Sequence, residues 1–224
     1  MNERLRTDHT EEAAREPHAR IDAALLERAR AFDTATLHEA SGKRGALPSA
    51  IKPVAPRFRL AGPAVTVHGP GGDNLWLHRA IYAAQPGEVL VVSVSGATEH
   101  GYWGEVMSTA ARARGLAGLV IDGCVRDGAL LEAVGFPVFA RGLCIRGTGK
   151  DFDAQGFINR ATLIGDVIVQ AGDLVVGDED GVVVIARESA ATTLDAAQNR
   201  VQAERQIMAR LEQGESTLDI YGWH

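Results

Sequence analysis

Apolar runs separated by glycine-rich breaks dominate the middle of the chain and alternate with segments of helical spacing. One near-continuous run covers 88–94 (EVLVVSV) and another covers 116–121 (LAGLVI), with an amphipathic segment at 105–114 between them. A short helix ending near Val134 leads to a third apolar run at 136–140. Strands covered on both faces are typically apolar throughout, so this order predicts parallel strands joined by right-handed crossovers.

Other elements are expected on both sides of this unit. Ahead of it, the spacing predicts helices at 21–30 and 35–40, a strand at 62–68 and a helix at 74–84. The expected N-cap of the helix at 35–40 is Asp33 or Thr34, and that of the helix at 74–84 is Asp73. Behind it, short apolar segments divided by Gly-Asp turns lie at 161–169, 173–176 and 181–186. They predict antiparallel strands or a small barrel, followed by a long helix from 189 to 212.

No internal repeat or linker divides the sequence. We therefore predict one mixed α/β domain over 21–224, with a parallel βαβ core, an antiparallel or barrel-like part and a long C-terminal helix. Nine of residues 1–20 are Asp, Glu or Arg, which predicts a charged, solvated tail. No apolar run approaches the roughly 20 residues that a membrane span needs. Without a signal-like N-terminus, the expected location is the cytoplasm.

Composition narrows the function. The chain has 224 residues and a net charge of −6, which argues against a nucleic-acid binder because such a protein needs a basic face. Cys124 and Cys144 stand among apolar residues and are expected to be buried, reduced thiols. Only Lys43, Lys52 and Lys150 are lysines. None is expected at the end of a core strand, where a Schiff-base aldolase would need one desolvated lysine.

Three charged residues are predicted to meet at one edge of the sheet. Glu105 follows the strand that ends near Val94, and Arg126 and Asp127 follow the strand that ends near Ile121. Loops that leave parallel strands at their C-terminal ends lie on the same edge, where α/β proteins bind ligands. Two carboxylates suit Mg²⁺ or Mn²⁺, since these ions prefer oxygen ligands.

The helix that begins near Glu105 adds an anion site to this edge. The amides of Glu105, Val106 and Met107 have no partner within the helix, and the glycine-rich approach through Gly104 lets a ligand come close. A metal, an anion cradle and the fixed charge of Arg126 together suit a 2-oxo acid, whose enolate an arginine can stabilise.

Each of these residues also has a simpler interpretation. Glu105 complements a helix dipole, Arg126 and Asp127 can form a loop ion pair, and Asp127 can be an N-cap. Asp73 with Asn74 likewise reads as a helix cap. The scattered histidines have no ligand spacing and are more often structural or exposed; they are His38, His78 and His100.

The sequence resembles the RraA-like family, and within it the class II 4-hydroxy-4-methyl-2-oxoglutarate / 4-carboxy-4-hydroxy-2-oxoadipate aldolases. The resemblance runs from about Thr34 to Tyr221 and includes the segments RLAGPAVTV, GDNLWLHRAI, GYWGEVMSTAARARGLAGLVIDGCVRD, GFPVFARG, GDLVVGDEDGVVVI and GESTLDIY. The family's metal motif is an acidic residue, twenty intervening residues and Arg-Asp. Here the motif is Glu105 followed by Arg126-Asp127.

The resemblance implies a role for each matching residue and a swivelling β/β/α fold. Asp127 would ligate Mg²⁺ or Mn²⁺ directly and Glu105 through water, while Arg126 would contact the keto oxygen. The amides near Val106 and Met107 would bind the pyruvyl carboxylate. Asn74 would lie near the site.

The family also implies an assembly. It builds trimers or hexamers with sites between subunits, and a glutamate from a neighbour's C-terminal helix reaches the metal waters. Glu204 is the best-aligned candidate here. Two departures stand out: Glu105 replaces the aspartate of the closest aldolases, and 150–162 is longer and is expected near the pocket.

The activity implied is cleavage of a 4-hydroxy-2-oxo di- or tricarboxylic acid to pyruvate and a second 2-oxo acid, with oxaloacetate decarboxylation as a side activity. Two alternatives stay open. One is a non-catalytic regulator of a ribonuclease E-like protein, since some relatives have that function. The other is a lyase on this scaffold that acts on an unrelated acid.

Overall fold

The computed structural model describes residues 21–224, so the charged tail predicted at 1–20 lies outside the described residues. The helices are α1 Ala23–Ala29, α2 Thr34–Ala40, α3 Leu75–Ala83, α4 Glu105–Ala113, α5 Gly128–Val134, α6 Ala190–Glu212 and α7 Thr217–Tyr221. The strands are β1 Lys52–Pro53, β2 Leu60–His68, β3 Val89–Ser93, β4 Gly118–Ile121, β5 Cys124–Val125, β6 Val138–Ala140, β7 Gly142–Leu143, β8 Phe157–Ile158, β9 Thr162–Ile164, β10 Val167–Val169, β11 Leu174–Asp178 and β12 Gly181–Ile185.

The main sheet joins the predicted parallel and antiparallel parts. Its strand order is β1-β6-β4-β3-β2-β11-β12, and β8 pairs with the end of β2. Strands β2, β3, β4 and β6 run parallel, with Val65 beside Leu90 and Val91 beside Val120. β11 pairs antiparallel with both β2 and β12. The predicted mixed α/β architecture is therefore confirmed, and β2 is the strand shared by its two halves.

The sheet curls until its two edges nearly meet. Ahead of β1, the Leu47 amide donates to Val182 of β12 at 2.9 Å, and the Val184 amide donates to Gly45 at 2.8 Å. The same segment continues into β1, which pairs with β6 at the opposite edge of the sheet. One stretch of chain thus contacts both edges, which gives the barrel-like closure expected from the sequence.

Two apolar clusters hold the helices on the sheet. The larger one joins the parallel strands to α3, α4 and α5. The smaller one packs α1, α2 and α6 on β11 and β12, through residues such as Leu37, Leu174 and Leu194. Only the first half of α6 takes part, since its buried residues end at Ala197. The predicted long C-terminal helix is confirmed, and its second half extends past the packed body.

Local boundaries differ from the sequence prediction in three places. The loop expected at 122–127 contains β5, which pairs with β7 and so depends on a partner distant in sequence. Beyond residue 212, where no element is predicted, the chain forms α7 behind the Ser216 cap. At α3 the N-cap position is Asn74, although the preceding Asp73 accepts the Leu75 amide at 2.7 Å. Within 21–224 no helix is long and apolar enough to cross a membrane.

Candidate active site

The loops that follow β3 and β5 meet at one edge of the sheet and bring together Glu105, Arg126 and Asp127. The Asp127 carboxylate accepts the Glu105 amide at 3.1 Å. The Arg126 amide donates to the Trp103 carbonyl at 2.9 Å. Trp103 is wholly buried, and its indole N–H donates to Ser108 of α4 at 2.7 Å. The start of α4 is thereby fixed to the Arg126-Asp127 loop.

Asp127 stands at the N-cap position of α5, yet its side chain does not cap that helix. Its backbone is left-handed, with φ 64°, and no cap hydrogen bond reaches the carboxylate from α5. The carboxylate points to α4 instead, so the N-cap interpretation does not hold for the side chain. A Cβ at position 104 would collide with Asp127 Oδ2. Glycine at 104 is therefore what allows the two loops to approach.

The charged groups of this edge are open to solvent. Arg126 Nε lies 3.9 Å from Asp127 Oδ2, a loose ion pair with side chains 50% and 36% exposed. Glu105 is exposed. The Asp127 carboxylate keeps lone pairs that are not used within the described residues. One or two carboxylates with several waters are a donor set that Mg²⁺ accepts, so these residues fit a divalent cation. Nowhere in 21–224 do three or more His, Cys, Asp or Glu side chains form a metal-binding group.

The anion cradle at the start of α4 is smaller than expected. The Glu105 amide is already bound to Asp127, which corrects the prediction that it is open to a ligand. The amides of Val106 and Met107 have no acceptor among the described residues. They lie at the positive end of the α4 dipole, and Val106 is 78% exposed. Two adjacent amides remain available for a carboxylate.

Asn74 connects this cradle to Lys150, the first residue of the segment that is expected near the pocket. Asn74 is buried, donates to the Tyr102 carbonyl at 2.9 Å and touches Met107 Sδ at 3.5 Å. Its Oδ1 accepts Lys150 Nζ at 3.1 Å. Lys150 is exposed rather than desolvated, so it lacks the setting of a Schiff-base lysine. No sequence signal linked residues 74 and 150, because only tertiary folding brings their loops together.

An open cleft of about 600 Å³ lies beside Asn74, between the loops 70–73 and 149–154. The buried Asp73 spans the two loops, since it accepts the amides of Leu75 at 2.7 Å and Asp151 at 2.5 Å. His78 lies close by, and burial together with the charge of Lys150 lowers its pKa below the ordinary value. The segment that begins at residue 150 therefore lines a cleft, as its extra length suggested.

The remaining candidates make no contact with the charged edge among the described residues. Glu204 of α6 forms an ion pair with Arg200 at 2.8 Å within its own chain. Among the described contacts it meets neither Arg126 nor Asp127. Cys124 and Cys144 are half-buried free thiols, not the fully buried ones expected. Burial raises the pKa of Cys124, which makes it a poor nucleophile at neutral pH.

His38 and His100 take no part in the site through any described contact. His38 Nδ1 lies 3.2 Å from the Arg44 carbonyl in an exposed turn. His100 lies against the Tyr102 ring at 5.6 Å between centroids, and its Nδ1 is buried without a partner among the described residues.

Comparison with known proteins adds three findings. The family model described as RraA-like: Aldolase/RraA matches residues 23–184. A Halalkalibacterium halodurans protein, provisionally named 4-hydroxy-4-methyl-2-oxoglutarate aldolase, is 37% identical over 73% of this chain and 77% of its own. Among solved structures, an uncharacterized protein from Pseudomonas syringae pv. tomato has a TM-score of 0.75 at 29% identity, covering 89% of this chain and 97% of its own.

A second solved structure points to a different activity. Streptomyces coelicolor RraAS2, described as an unusual member of the RNase ES inhibitor RraA protein family, has a TM-score of 0.73 at 27% identity. The match covers 86% of this chain and 99% of that one. One relative in sequence therefore carries an aldolase name, and one relative in fold carries an inhibitor description.

Proposed function

The chain belongs to the RraA-like (Aldolase/RraA) family, and on that premise we propose that it is a divalent-metal-dependent lyase. It cleaves a 4-hydroxy-2-oxo di- or tricarboxylic acid, such as 4-hydroxy-4-methyl-2-oxoglutarate or 4-carboxy-4-hydroxy-2-oxoadipate, to pyruvate and a second 2-oxo acid. The observation that carries the proposal is the meeting of the Asp127 carboxylate, the Arg126 guanidinium and two free α4 amides at one edge.

The substrate is held by its 2-oxo acid end. The amides of Val106 and Met107 bind the carboxylate at C1, as helix N-termini bind anions generally. Arg126 lies beside Asp127 and donates to the oxygen at C2. Asp127 directly, and Glu105 through water, would hold Mg²⁺ or Mn²⁺, which when bound supplies Lewis acidity at the 2-oxo group. The longer side chain of Glu105, compared with aspartate, is compatible with a contact made through water.

Cleavage moves one proton and one electron pair. A base takes the proton of the C4 hydroxyl, the C4–O bond becomes a carbonyl, and the C3–C4 bond breaks. The electron pair passes to C3 and the C2 oxygen, which forms the enolate of pyruvate. The fixed charge of Arg126 stabilises that oxygen, and protonation of C3 releases pyruvate. Oxaloacetate would give the same enolate with loss of CO₂, so its decarboxylation is expected as a side activity.

The other end of the substrate faces Asn74 and Lys150. These substrates carry at least one further carboxylate beyond C3, and Lys150 supplies a positive charge beside the cleft. A lysine that is exposed and bound to Asn74 acts here as a charge for recognition, not as an imine-forming nucleophile.

An oligomer would complete this site. Large apolar side chains surround the charged edge, where Ile145 is 96% exposed, Val106 78% and Leu143 62%. Such a patch beside polar groups is typical of a protein interface. We propose a homotrimer or homohexamer with its sites between subunits. In this assembly Glu204 of a neighbouring copy would stand beside the residues that hold the metal and would serve as the base or its partner.

A coupled pyruvate assay tests the proposal. Purified protein is given 4-hydroxy-4-methyl-2-oxoglutarate or oxaloacetate, with Mg²⁺ or Mn²⁺ and then with EDTA. Each rate is taken above that of the same mixture without protein, because oxaloacetate also decarboxylates without enzyme. We expect this protein-dependent pyruvate formation only with metal, and a loss of kcat of at least about 100-fold in Asp127→Asn, since a charge that binds the activating ion is removed. Asp166→Asn, which changes an exposed aspartate on the β9–β10 turn, is the matched control and keeps wild-type rates.

The assay also separates the second candidate function. The similarity to RraAS2 favours a non-catalytic regulator that binds a ribonuclease E-like protein. If neither acid yields pyruvate under either metal, the lyase proposal is wrong and the regulator becomes the better explanation. Activity that is indifferent to EDTA would refute the metal assignment alone.

A further inference from the structure

Tyr102 is buried beneath the candidate site and uses every polar atom that it has. Its side chain has no exposed surface. Its hydroxyl donates to the Ala97 carbonyl at 2.6 Å and accepts the Gly72 amide at 2.8 Å. Its own amide donates to Cys124 at 3.1 Å, and its carbonyl accepts the Asn74 side chain at 2.9 Å. Burial raises the pKa of its hydroxyl, so the group remains a donor at neutral pH.

These bonds join the three loops that follow β2, β3 and β4. Gly72 and Asn74 belong to the first loop, Ala97 to the second and Cys124 to the third. The loops are rich in glycine, and a Cβ at Gly123 would press on the Tyr102 ring, with 3.2 Å to its nearest atom. Among the described residues, the Tyr102 hydroxyl is the group that accepts the Gly72 amide.

The same bonds form a closed circuit that includes Lys150. From the phenol it runs to the Gly72 amide, and the Gly72 carbonyl accepts the Gly149 amide at 2.8 Å. Lys150 follows Gly149 and donates to Asn74 at 3.1 Å. The Asn74 side chain in turn donates to the Tyr102 carbonyl, which closes the circuit. Lys150 is thus held through its ammonium by Asn74 and through its neighbours in the chain, since Gly149 is bound to Gly72 and Asp151 to Asp73.

We propose that Tyr102 is a positioning residue, which fixes the Lys150–Asn74 pair relative to the α4 amides and so sets the distance between the two anion-binding ends of the site. The proposal rests on the proposed function, because it assumes that Lys150 binds the far carboxylate of the substrate. Tyr102 itself does not touch substrate.

Limited proteolysis tests the circuit without any need for activity. Endoproteinase Lys-C cleaves after lysine, and the chain has only three, of which Lys52 lies within strand β1. Tyr102→Phe removes one oxygen and keeps the ring. We expect cleavage after Lys150 to become about threefold faster or more, while cleavage after Lys43 stays unchanged as an internal reference. Tyr82→Phe, the same change at an exposed tyrosine, is the matched control.

Kinetics test what the circuit does for the substrate. Tyr102→Phe is expected to raise KM for 4-hydroxy-4-methyl-2-oxoglutarate by about five- to tenfold and to change kcat by less than about twofold, because ground-state binding is weakened. In a Lys150→Met background the same change is expected to leave KM nearly unaltered, since the residue through which Tyr102 acts is gone. Additive effects of the two substitutions would overturn the proposal.

Hydrogen exchange of the wild-type protein provides a test that needs no variant. The Gly72 amide, held by the phenol alone, is expected to exchange slowly. Exchange at the rate of an open loop, or unchanged Lys-C cleavage in Tyr102→Phe, would overturn the positioning role even if the enzyme is active. If the wild type forms no pyruvate but both structural results hold, the lyase proposal fails and the circuit around Tyr102 stands.

Discussion

Asp127 stands at the start of α5, but its carboxylate points to the start of α4. Its left-handed backbone removes the side chain from the capping position of α5 and brings it to the Glu105 amide. That conformation is unfavourable for most side chains, although aspartate tolerates it better than most. The neighbouring loop makes room with Gly104. The left-handed backbone of Asp127 and the missing side chain at Gly104 therefore determine where the Asp127 carboxylate lies.

A methyl group at position 104 should displace the Asp127 carboxylate from the start of α4. In Gly104→Ala the new Cβ collides with Asp127 Oδ2, so the carboxylate or the α4 start must move. We expect kcat for pyruvate formation to fall by at least about tenfold, because small misplacements of catalytic groups are costly.

The comparison variant is Gly147→Ala, where a Cβ meets no atom within 4 Å. It should keep the wild-type rate. Wild-type kcat in Gly104→Ala would show that the position of the Asp127 carboxylate does not limit the reaction.

At the scale of elements, helix α2 is attached to the sheet by one buried carboxylate. Asp178, at the end of β11, accepts the Thr34 amide at 2.8 Å and the Thr34 hydroxyl at 2.6 Å. The neighbouring Asp33 caps the same helix by accepting the Thr36 amide at 2.7 Å. The start of α2 is therefore tied both to its own first turn and to the strand beneath it.

Removing the buried carboxylate should destabilise the fold. In Asp178→Ala the amide and hydroxyl of Thr34 lose their shared acceptor while remaining buried. We expect the free energy of unfolding to fall by about 2–4 kcal/mol, measured by urea denaturation. Asp180→Ala, an exposed neighbour in the same turn, should change it by less than about 0.5 kcal/mol. Equal effects of the two substitutions would contradict the role assigned to Asp178.

At the scale of the whole molecule, part of the exposed apolar surface lies beside the charged edge, on Val106, Leu143 and Ile145. The second half of α6 extends past the body, and it carries Glu204 away from its own chain's charged edge. A single copy therefore presents an edge with two carboxylates, those of Glu105 and Asp127, and among the described residues the Glu204 side chain has Arg200 as its ion-pair partner. Association of copies would bring Glu204 of one copy to the charged edge of another, and it would also cover Ile145.

A charge placed in this apolar surface should separate the copies. The wild type is expected to elute as a trimer or hexamer in size-exclusion chromatography with light scattering. Ile145→Glu should shift it toward monomer, because a carboxylate in a protein interface loses its hydration. Pyruvate formation should fall in proportion to the monomer. A monomeric wild type with full activity would contradict the assembly and the part proposed for Glu204.

Sequence patterns predicted the parallel unit well because its signals are local. Strand runs such as 88–94, helix spacing and glycine stops are all contained within a few residues. The contact between Lys150 and Asn74 was not predicted, because it joins residues more than seventy positions apart. The left-handed turn at Asp127 and the circuit around Tyr102 were missed for the same reason. Long-range backbone pairing determines these features, and no short window of sequence encodes it.

The shared strand β2 also dictates an order of events during folding. Leu60–Pro63 on one edge pair with β11, and Val67–His68 pair with β8, whereas the other edge pairs with β3. On a ribosome, residues 174–178 emerge long after β2, so one edge of β2 must wait uncovered while the parallel half assembles. Such non-local pairing slows folding and leaves a template for wrong strand partners. Truncated chains that stop before β11 should therefore aggregate, and the full chain should refold slowly for its size.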